Sequence, residues 1–417
     1  MLVSTAGPKP RIAVVSPFID KRHGTERRVA EWIASLANDF EIHVYSQRVE
    51  DLDLGRVTWH RIPRMPGPHL LNYIWWFTAN HLWRTWDKRF RGIRHDLVFS
   101  PGVNCLDADI VSVHVVFAEY RRRLGEELRL GANPVWRWPR ILHRKLYYAL
   151  VSFLESRVYR NPRTMLILIA RRTQHELERC NSGNRDFPVV YVGLDREIFN
   201  PENRLSLRDQ ARSDMGYAST RFVFLLVGND WANKGLPSLL QALTLLRELP
   251  IDLLVVGRQD PKPYLSTLAK MNLLGRVQFQ LPRADVEFFY AAADAYAGPS
   301  LEDTFAQPPA EAMACGLPAI VSSTNGTSEI ITSGVNGLVL ADATDACSLA
   351  AIMRRLYEDV DFRERLGHSA AKSTRQYTWE RNGQEIATIL RDVLAGTTSL
   401  SGKSSDQRMA IPKGSLS

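Results

Sequence analysis

Residues Ala295–Ser322 read AYAGPSLEDTFAQPPAEAMACGLPAIVS, and the order of events along them is strand, loop, helix, strand. The short apolar runs Ala295–Ala297 and Pro318–Ser322 have strand length, and Pro308 and Pro309 between them suit a first helical turn, where a missing N–H would be unsatisfied anyway. The pattern therefore predicts a helix that starts near Gln307 and runs over Pro308–Cys315. Two strands joined through a helix are parallel, which is the βαβ unit. The start of such a helix, with the preceding amides of Thr304, Phe305, Ala306 and Gln307, offers N–H donors and positive dipole to an anion, a phosphate above all. Asp303 in the loop and Glu311 one turn into the helix can flank that anion and accept from sugar hydroxyls. Read alone, the same two carboxylates fit a helix cap and a solvated face equally well.

The alternation continues outward in both directions. In the second half, strands are predicted at Phe222–Val227, Ile251–Val256, Arg276–Gln280 and Gly337–Leu340, with helices between them. In the first half, Arg11–Ser16, Glu41–Ser46, Asp96–Ser100, Asp109–His114, Met165–Ala170 and Pro188–Val192 read as strands, and Thr25–Ala37 as a helix with Val29, Ile33, Leu36 and Ala37 on one face. These strands are too continuously apolar to have a wet face, as expected of parallel strands covered on both sides. Two doubly wound domains in series follow: residues 1–195, a polar connector at 196–220, a second domain at 221–377, a closing helix at 378–395 that packs back towards the first domain, and a disordered tail at 396–417. Ligands of such sheets bind beyond the carboxyl ends of the strands, which places the expected site in a cleft between facing domains.

A lysine stands at one of those strand ends. In VGNDWANKGLPSLLQAL (Val227–Leu243) a buried strand ends, a loop follows, and Gly235 opens a helix with Leu236, Leu239, Leu240 and Leu243 inward. Lys234 beside that helix start is placed to meet a diphosphate, although a single loop lysine is more often simply exposed.

Composition sets the remaining bounds. The 417 residues are 45% hydrophobic and 24% charged, with 25 Gly, 22 Pro and 4 Cys, which excludes collagen-like, low-complexity and disulfide-scaffold classes. Cys105, Cys180, Cys315 and Cys347 lie far apart without metal-ligand spacing, and a reducing cytoplasm fits them. No secretory leader is read at the N-terminus, and no apolar run approaches the about 20 residues of a membrane span. Residues 1–200 carry 31 Lys/Arg against 21 Asp/Glu, whereas the remainder carries 22 against 24. Eight of the ten tryptophans, Trp32, Trp59, Trp75, Trp76, Trp83, Trp86, Trp136 and Trp138, also fall in that basic half. Leu70–Arg94 and Tyr120–Tyr148 interleave aromatics with Arg and Lys, which suits an anionic membrane surface or a phosphate-bearing acceptor. A core of tryptophans under a solvated arginine face is the other reading. No nucleic-acid module accompanies the charge.

These segments together resemble the retaining glycosyltransferases of family 4. The resemblance covers about residues 11–395 and is strongest in LEDTFAQPPAEAMACGLPAIVSS (Leu301–Ser323), similar to that family's E-x7-E signature, followed by NGTSEII (Asn325–Ile331) and SGVNGLVL (Ser333–Leu340). It implies an α/β, GT-B fold of two Rossmann-like doubly wound domains facing across a cleft. It further implies that Glu311 binds the ribose of a nucleotide-sugar donor and that Asp303 contacts the transferred sugar. Lys234 and the amides of Thr304–Gln307 would hold the diphosphate. His114 corresponds to a histidine near the sugar's reacting end, and Gly24 to a glycine turn approaching the diphosphate. Three positions depart from the family: Asp303 is one methylene short of the usual Glu, Asn229 stands in place of an arginine at the donor diphosphate, and His23 replaces the first glycine of a pair.

The implied chemistry is retaining transfer from a UDP- or GDP-sugar to a glycan or lipid-linked acceptor in bacterial envelope polysaccharide or lipopolysaccharide synthesis. The expected enzyme uses no cofactor and no metal, because the spacings Asp51-Leu52-Asp53 and Asp107-Ala108-Asp109 do not form a metal-holding loop. It is expected in the cytoplasm, with peripheral contact at the inner face of the membrane and no nucleic-acid partner. The alternatives are a nucleotide-sugar epimerase of the same fold and a non-catalytic nucleotide-sugar-binding protein.

Overall fold

The computed structural model describes residues 8–21, 24–125, 128–179 and 185–396. The chain divides into two compact units, residues up to Val190 together with those from Gln384, and Tyr191–Gly383.

The first unit is built on six parallel strands: β1 (Arg11–Val15), β2 (Glu41–Ser46), β3 (Val57–Arg61), β4 (Leu97–Pro101), β5 (Ile110–Val113) and β6 (Met165–Leu168). Their order is β3-β2-β1-β4-β5-β6, the arrangement of a Rossmann sheet. Alternation along β1 explains its apolar run: Ile12 and Val14 enter one core and Ala13 and Val15 the other, so both faces are covered. The last helix, Trp379–Leu394, supplies Ile386, Ala387 and Leu390 to the first of these cores.

The second unit repeats the plan with β7 (Phe222–Val227), β8 (Ile251–Val256), β9 (Val277–Gln280), β10 (Ala295–Gly298), β11 (Ala319–Ser322) and β12 (Leu338–Leu340), all parallel, in the order β9-β8-β7-β10-β11-β12. The order reverses between β7 and β10. Crevices form at such switch points, beyond the carboxyl ends of the two strands.

Three elements differ from expectation. Pro188–Val192 is not a strand; it contributes only an isolated bridge between Leu168 and Val189. β3 went unforeseen because it is an edge strand with only His60 of its five residues buried, so it has no continuous apolar run. Residues 196–220, expected as a connector, contain the 14-residue helix Pro201–Asp214, whose Asn200 cap accepts from Asn203 N. Only Ala211 and Arg212 of that helix are buried. It is held by ionic contacts in place of an apolar stripe: Arg208 and Arg212 both pair with Asp294, and Arg212 also donates to the carbonyl of Ala292 at 3.1 Å. The tail expected from 396 lies, beyond its first residue, outside the described residues.

The tryptophans divide. Trp32 and Trp76 are core residues, whereas Trp86, Trp136 and Trp138 are exposed. The core reading therefore holds for Trp32 and Trp76 and not for the three exposed tryptophans.

Candidate active site

The predicted helix start is present as Gln307–Ala314, whose cap residue Ala306 forms no side-chain hydrogen bond. With Pro308 and Pro309 lacking N–H groups, the first turn has few donors, and of the loop amides before it that of Ala306 is already donated to Asn325 Oδ1 at 3.4 Å, which leaves Thr304, Phe305 and Gln307 as the candidate anion donors. That loop is fastened on two sides. On one, Leu301 N donates to Asn233 O at 2.7 Å, and Asn233 Nδ2 donates to Glu302 O at 2.8 Å. On the other, Asp303 N donates to Thr324 O at 3.2 Å, Gly326 N donates to Asp303 O at 2.9 Å, and Thr327 Oγ1 donates to Ala306 O at 2.6 Å. A loop tied at so many backbone points holds its amides in a fixed array, as an anion site requires.

Lys234 and Asp303, remote in sequence, meet in an ion pair between Nζ and Oδ2, with both side chains less than one-fifth exposed. Two glycines make this possible. Gly228 has only hydrogens where a Cβ would lie 2.9 Å from Lys234 Cε, so the lysine can cross the strand end. Gly235 has φ +89° and abuts the Pro299 carbonyl, which fixes the turn that delivers Lys234.

Glu311 is only 6% exposed, and its carboxylate accepts from Tyr290 Oη at 2.7 Å. The carboxylate and burial together hold the Tyr290 hydroxyl well above its ordinary range. Asn229 Oδ1 accepts from Arg258 N at 3.0 Å, so this asparagine braces the loop after β8. Asn233, Tyr290 and Asn325 were not singled out as site residues. Asn233 and Asn325 lie inside quoted motifs and Tyr290 outside them; the contacts of all three join segments distant in sequence and become visible only in the folded chain.

Gly24 and His114 belong to the first unit. Gly24 opens the helix Gly24–Leu36 and is exposed, and His23 lies outside the described residues. His114 follows β5 and is buried; its Nδ1 faces Arg28 Nη1 at 3.3 Å and its Nε2 faces Ser112 Oγ at 3.0 Å. A guanidinium can only donate, so the ring is assigned as the neutral Nε2–H form with Nε2–H donating to Ser112. Burial, reinforced by Arg28, lowers its pKa to about 3. His114 lines a cavity of about 410 Å³ inside the first unit, walled by Phe18, Tyr73, Trp76, Phe117 and Tyr147, with Arg64 also at its lining.

Both D-x-D spacings are occupied by structural bonds. Asp53 Oδ1 accepts from Gly55 N at 2.9 Å and Asp51 Oδ2 from Lys21 N at 3.2 Å. Asp107 takes both guanidinium nitrogens of Arg84 at 2.7 and 2.8 Å, and Asp109 accepts from Val98 N at 2.8 Å.

Residues 208–373 match the family described as glycosyl transferases group 1. The matched residues include Lys234, Asp303 and Glu311. Over 229 residues the chain is 30% identical to the D-inositol 3-phosphate glycosyltransferase of Thermomonospora curvata, a match covering 50% of this chain and 53% of that protein. The chain thus spans about half the length of the curated relatives it matches. Among solved structures it is similar to WaaG, a glycosyltransferase involved in lipopolysaccharide biosynthesis, with a TM-score of 0.73 at 18% identity over 91% of this chain and 99% of that one. It is likewise similar to Anabaena Alr3699/HepE solved with UDP-glucose, with a TM-score of 0.68 at 18% identity over 92% and 99% of the two chains. The fold is the α/β fold of the GT-B glycosyltransferases.

Proposed function

We propose that this chain is a family 4 retaining glycosyltransferase that moves a sugar from a UDP- or GDP-sugar to a glycan or lipid-linked acceptor without a metal ion. Envelope polysaccharide or lipopolysaccharide synthesis, at the inner face of the membrane, is the setting that suits it. The observation that carries the reading is the ion pair of Lys234 with Asp303, which joins the loops that follow β7 and β10 at the switch point of the second sheet. The HepE complex with UDP-glucose supports a nucleotide-sugar donor.

In this reading the donor replaces the Lys234–Asp303 pair. The diphosphate takes the ammonium and the amides of Thr304, Phe305 and Gln307, the Ala306 amide staying on Asn325 Oδ1, and the freed Asp303 carboxylate accepts from hydroxyls of the sugar. Glu311, oriented by Tyr290, accepts from the ribose. As the anomeric bond breaks, negative charge grows on the leaving phosphate, where a fixed cation and fixed N–H groups stabilise it without rearranging. The acceptor binds in the cavity of the first unit; its hydroxyl oxygen attacks on the face the diphosphate leaves and its proton passes to the departing phosphate oxygen, so the anomeric C–O bond to phosphate breaks as the new one forms and configuration is retained. His114, neutral across the working range and anchored at both nitrogens, shapes the cavity wall and takes no proton.

The test is a thermal-shift screen of UDP-, GDP- and ADP-sugars with and without EDTA, followed by slow hydrolysis of any hit. One clear hit that survives EDTA is the expected result. A folded sample that no nucleotide sugar stabilises would overturn the donor assignment. Stabilisation without any turnover would move the reading to the binding-protein alternative.

A further inference from the structure

We infer that the outer face of the helix Trp138–Tyr159, together with the short turn Val135–Arg137 before it, docks on an anionic lipid surface. The helix has two dissimilar sides. Ile141, Val151, Glu155 and Val158 are buried. Opposite them, Leu142, Leu146 and Phe153 are 52%, 53% and 53% exposed, and Val135 and Trp136 in the turn are 69% and 68% exposed. At about 3.6 residues per turn, Trp138, Leu142, Leu146 and Phe153 fall within an arc of roughly 80°. Water therefore faces a continuous apolar stripe with two tryptophans at its start, a composition that favours an interface between water and hydrocarbon.

Charge chooses the occupant. Leu128–Leu154 contains five Arg/Lys and no Asp or Glu. Lys145 and Arg157 fall on the two flanks of the stripe, and Arg157 lies over the Phe153 ring at 5.1 Å. A second copy laid on the same face would set like charges against each other. Anionic headgroups would meet the cations while the stripe enters the acyl boundary. The contact would be peripheral, since no helix among the described residues is long and apolar enough to cross a membrane. The inner side of this helix lines the cavity through Tyr147 and Val151, so a docked bilayer would lie one helix away from the proposed acceptor cavity. That link rests on the reading of a lipid-linked acceptor, whereas the docking itself does not.

The experiment is co-sedimentation of the full chain with phosphatidylcholine vesicles, with and without phosphatidylglycerol, at low and high salt. Expected is binding to the anionic vesicles, roughly tenfold weaker or less on neutral ones, and weakened by salt. The pairs Leu142→Glu with Leu146→Glu, and Lys145→Glu with Arg157→Glu, should each reduce binding to the neutral-vesicle level while the nucleotide-sugar thermal shift stays as in the wild type. Equal binding to both vesicle types, no binding to either, or wild-type binding by the variants would overturn the inference. So would a dimer, dissolved by the leucine pair, in a chain that ignores vesicles. Vesicle binding without any nucleotide-sugar shift would leave docking intact and remove the transferase reading.

Discussion

The two sheets share one strand order, yet their switch points are finished in different ways. Beyond β7 and β10, loops are bonded to each other through Asn233, Glu302, Asp303 and Thr324, and a lysine and an aspartate meet between them. Beyond β1 and β4, the first unit opens into a cavity of about 410 Å³ walled largely by aromatic rings. The contrast teaches that one topology can make either a rigid electrostatic cradle or a roomy apolar pocket, depending on whether loop residues bond to one another or stand apart. Rigid charge suits the constant part of a reaction, a leaving diphosphate. An aromatic pocket suits the variable part.

The largest effect expected from this contrast is on the pocket side. Trp76 is 2% exposed and its Nε1 donates to Asn104 Oδ1 at 3.0 Å, so Trp76→Ala should cost about 3–5 kcal/mol of stability in denaturant unfolding. A cost below about 1 kcal/mol would mean that the pocket wall is not part of the core. On the cradle side, Lys234→Ala should leave the fold intact and reduce kcat/KM by roughly 10²–10³-fold. A loss in KM alone would show that the lysine binds donor without stabilising the leaving group.

Acidification should act chiefly on the stability of the first unit. Burial lowers the pKa of His60, that of His95 to about 4 and that of His114 to about 3, all in the first unit. Between those values and the ordinary histidine range the unfolded chain binds more protons than the folded one, so stability falls as pH drops from 7 towards 4.5. Glu155, raised to about 7 by burial, acts in the opposite sense over the same window, taking up its proton in the folded state. His69, likewise lowered by burial, adds to the histidine side, and Asp109, raised by burial, adds to the Glu155 side, so four histidines against two carboxylates leave a net loss in acid. Tryptophan emission, which reports chiefly on the first unit, should show a lower denaturation midpoint at pH 5 than at pH 7; an unchanged midpoint would contradict the assignment of neutral buried histidines. A smaller change is expected from Asn233→Ala, which removes one tie to Glu302 O and should cost about 1 kcal/mol, with donor affinity falling by no more than about tenfold. The smallest expected effect is that of EDTA on turnover, which should be none.

Parallel strands buried on both faces are legible because their apolar runs are continuous, and Phe222–Val227 and Ile251–Val256 fall where the sequence places them. Edge strand β3 and the helix Pro201–Asp214 are not legible for the converse reason: neither has an apolar signature of its own, one being half wet and the other held by arginines on Asp294. The site divides similarly. Lys234 and the helix start at Gln307 can be read from local pattern, since a strand end and two prolines mark them. The pairing of Lys234 with Asp303, the Tyr290 hydroxyl on Glu311 and the bracing of Arg258 N by Asn229 join residues 69, 21 and 29 positions apart. Such contacts depend on which strands become neighbours, and no local spacing encodes that.

In the proposed reaction Lys234 and Asp303 give up each other for a nucleotide sugar. Calorimetric titration of the hit donor into the wild type, Lys234→Ala and Asp303→Asn, all in EDTA, tests it most directly. Measurable binding is expected of the wild type, and a loss of at least tenfold in affinity for Lys234→Ala with free nucleoside diphosphate as well as with donor. For Asp303→Asn, affinity for the free diphosphate should be retained or improved while the advantage conferred by the sugar disappears. Equal affinities across the three proteins would contradict the claim.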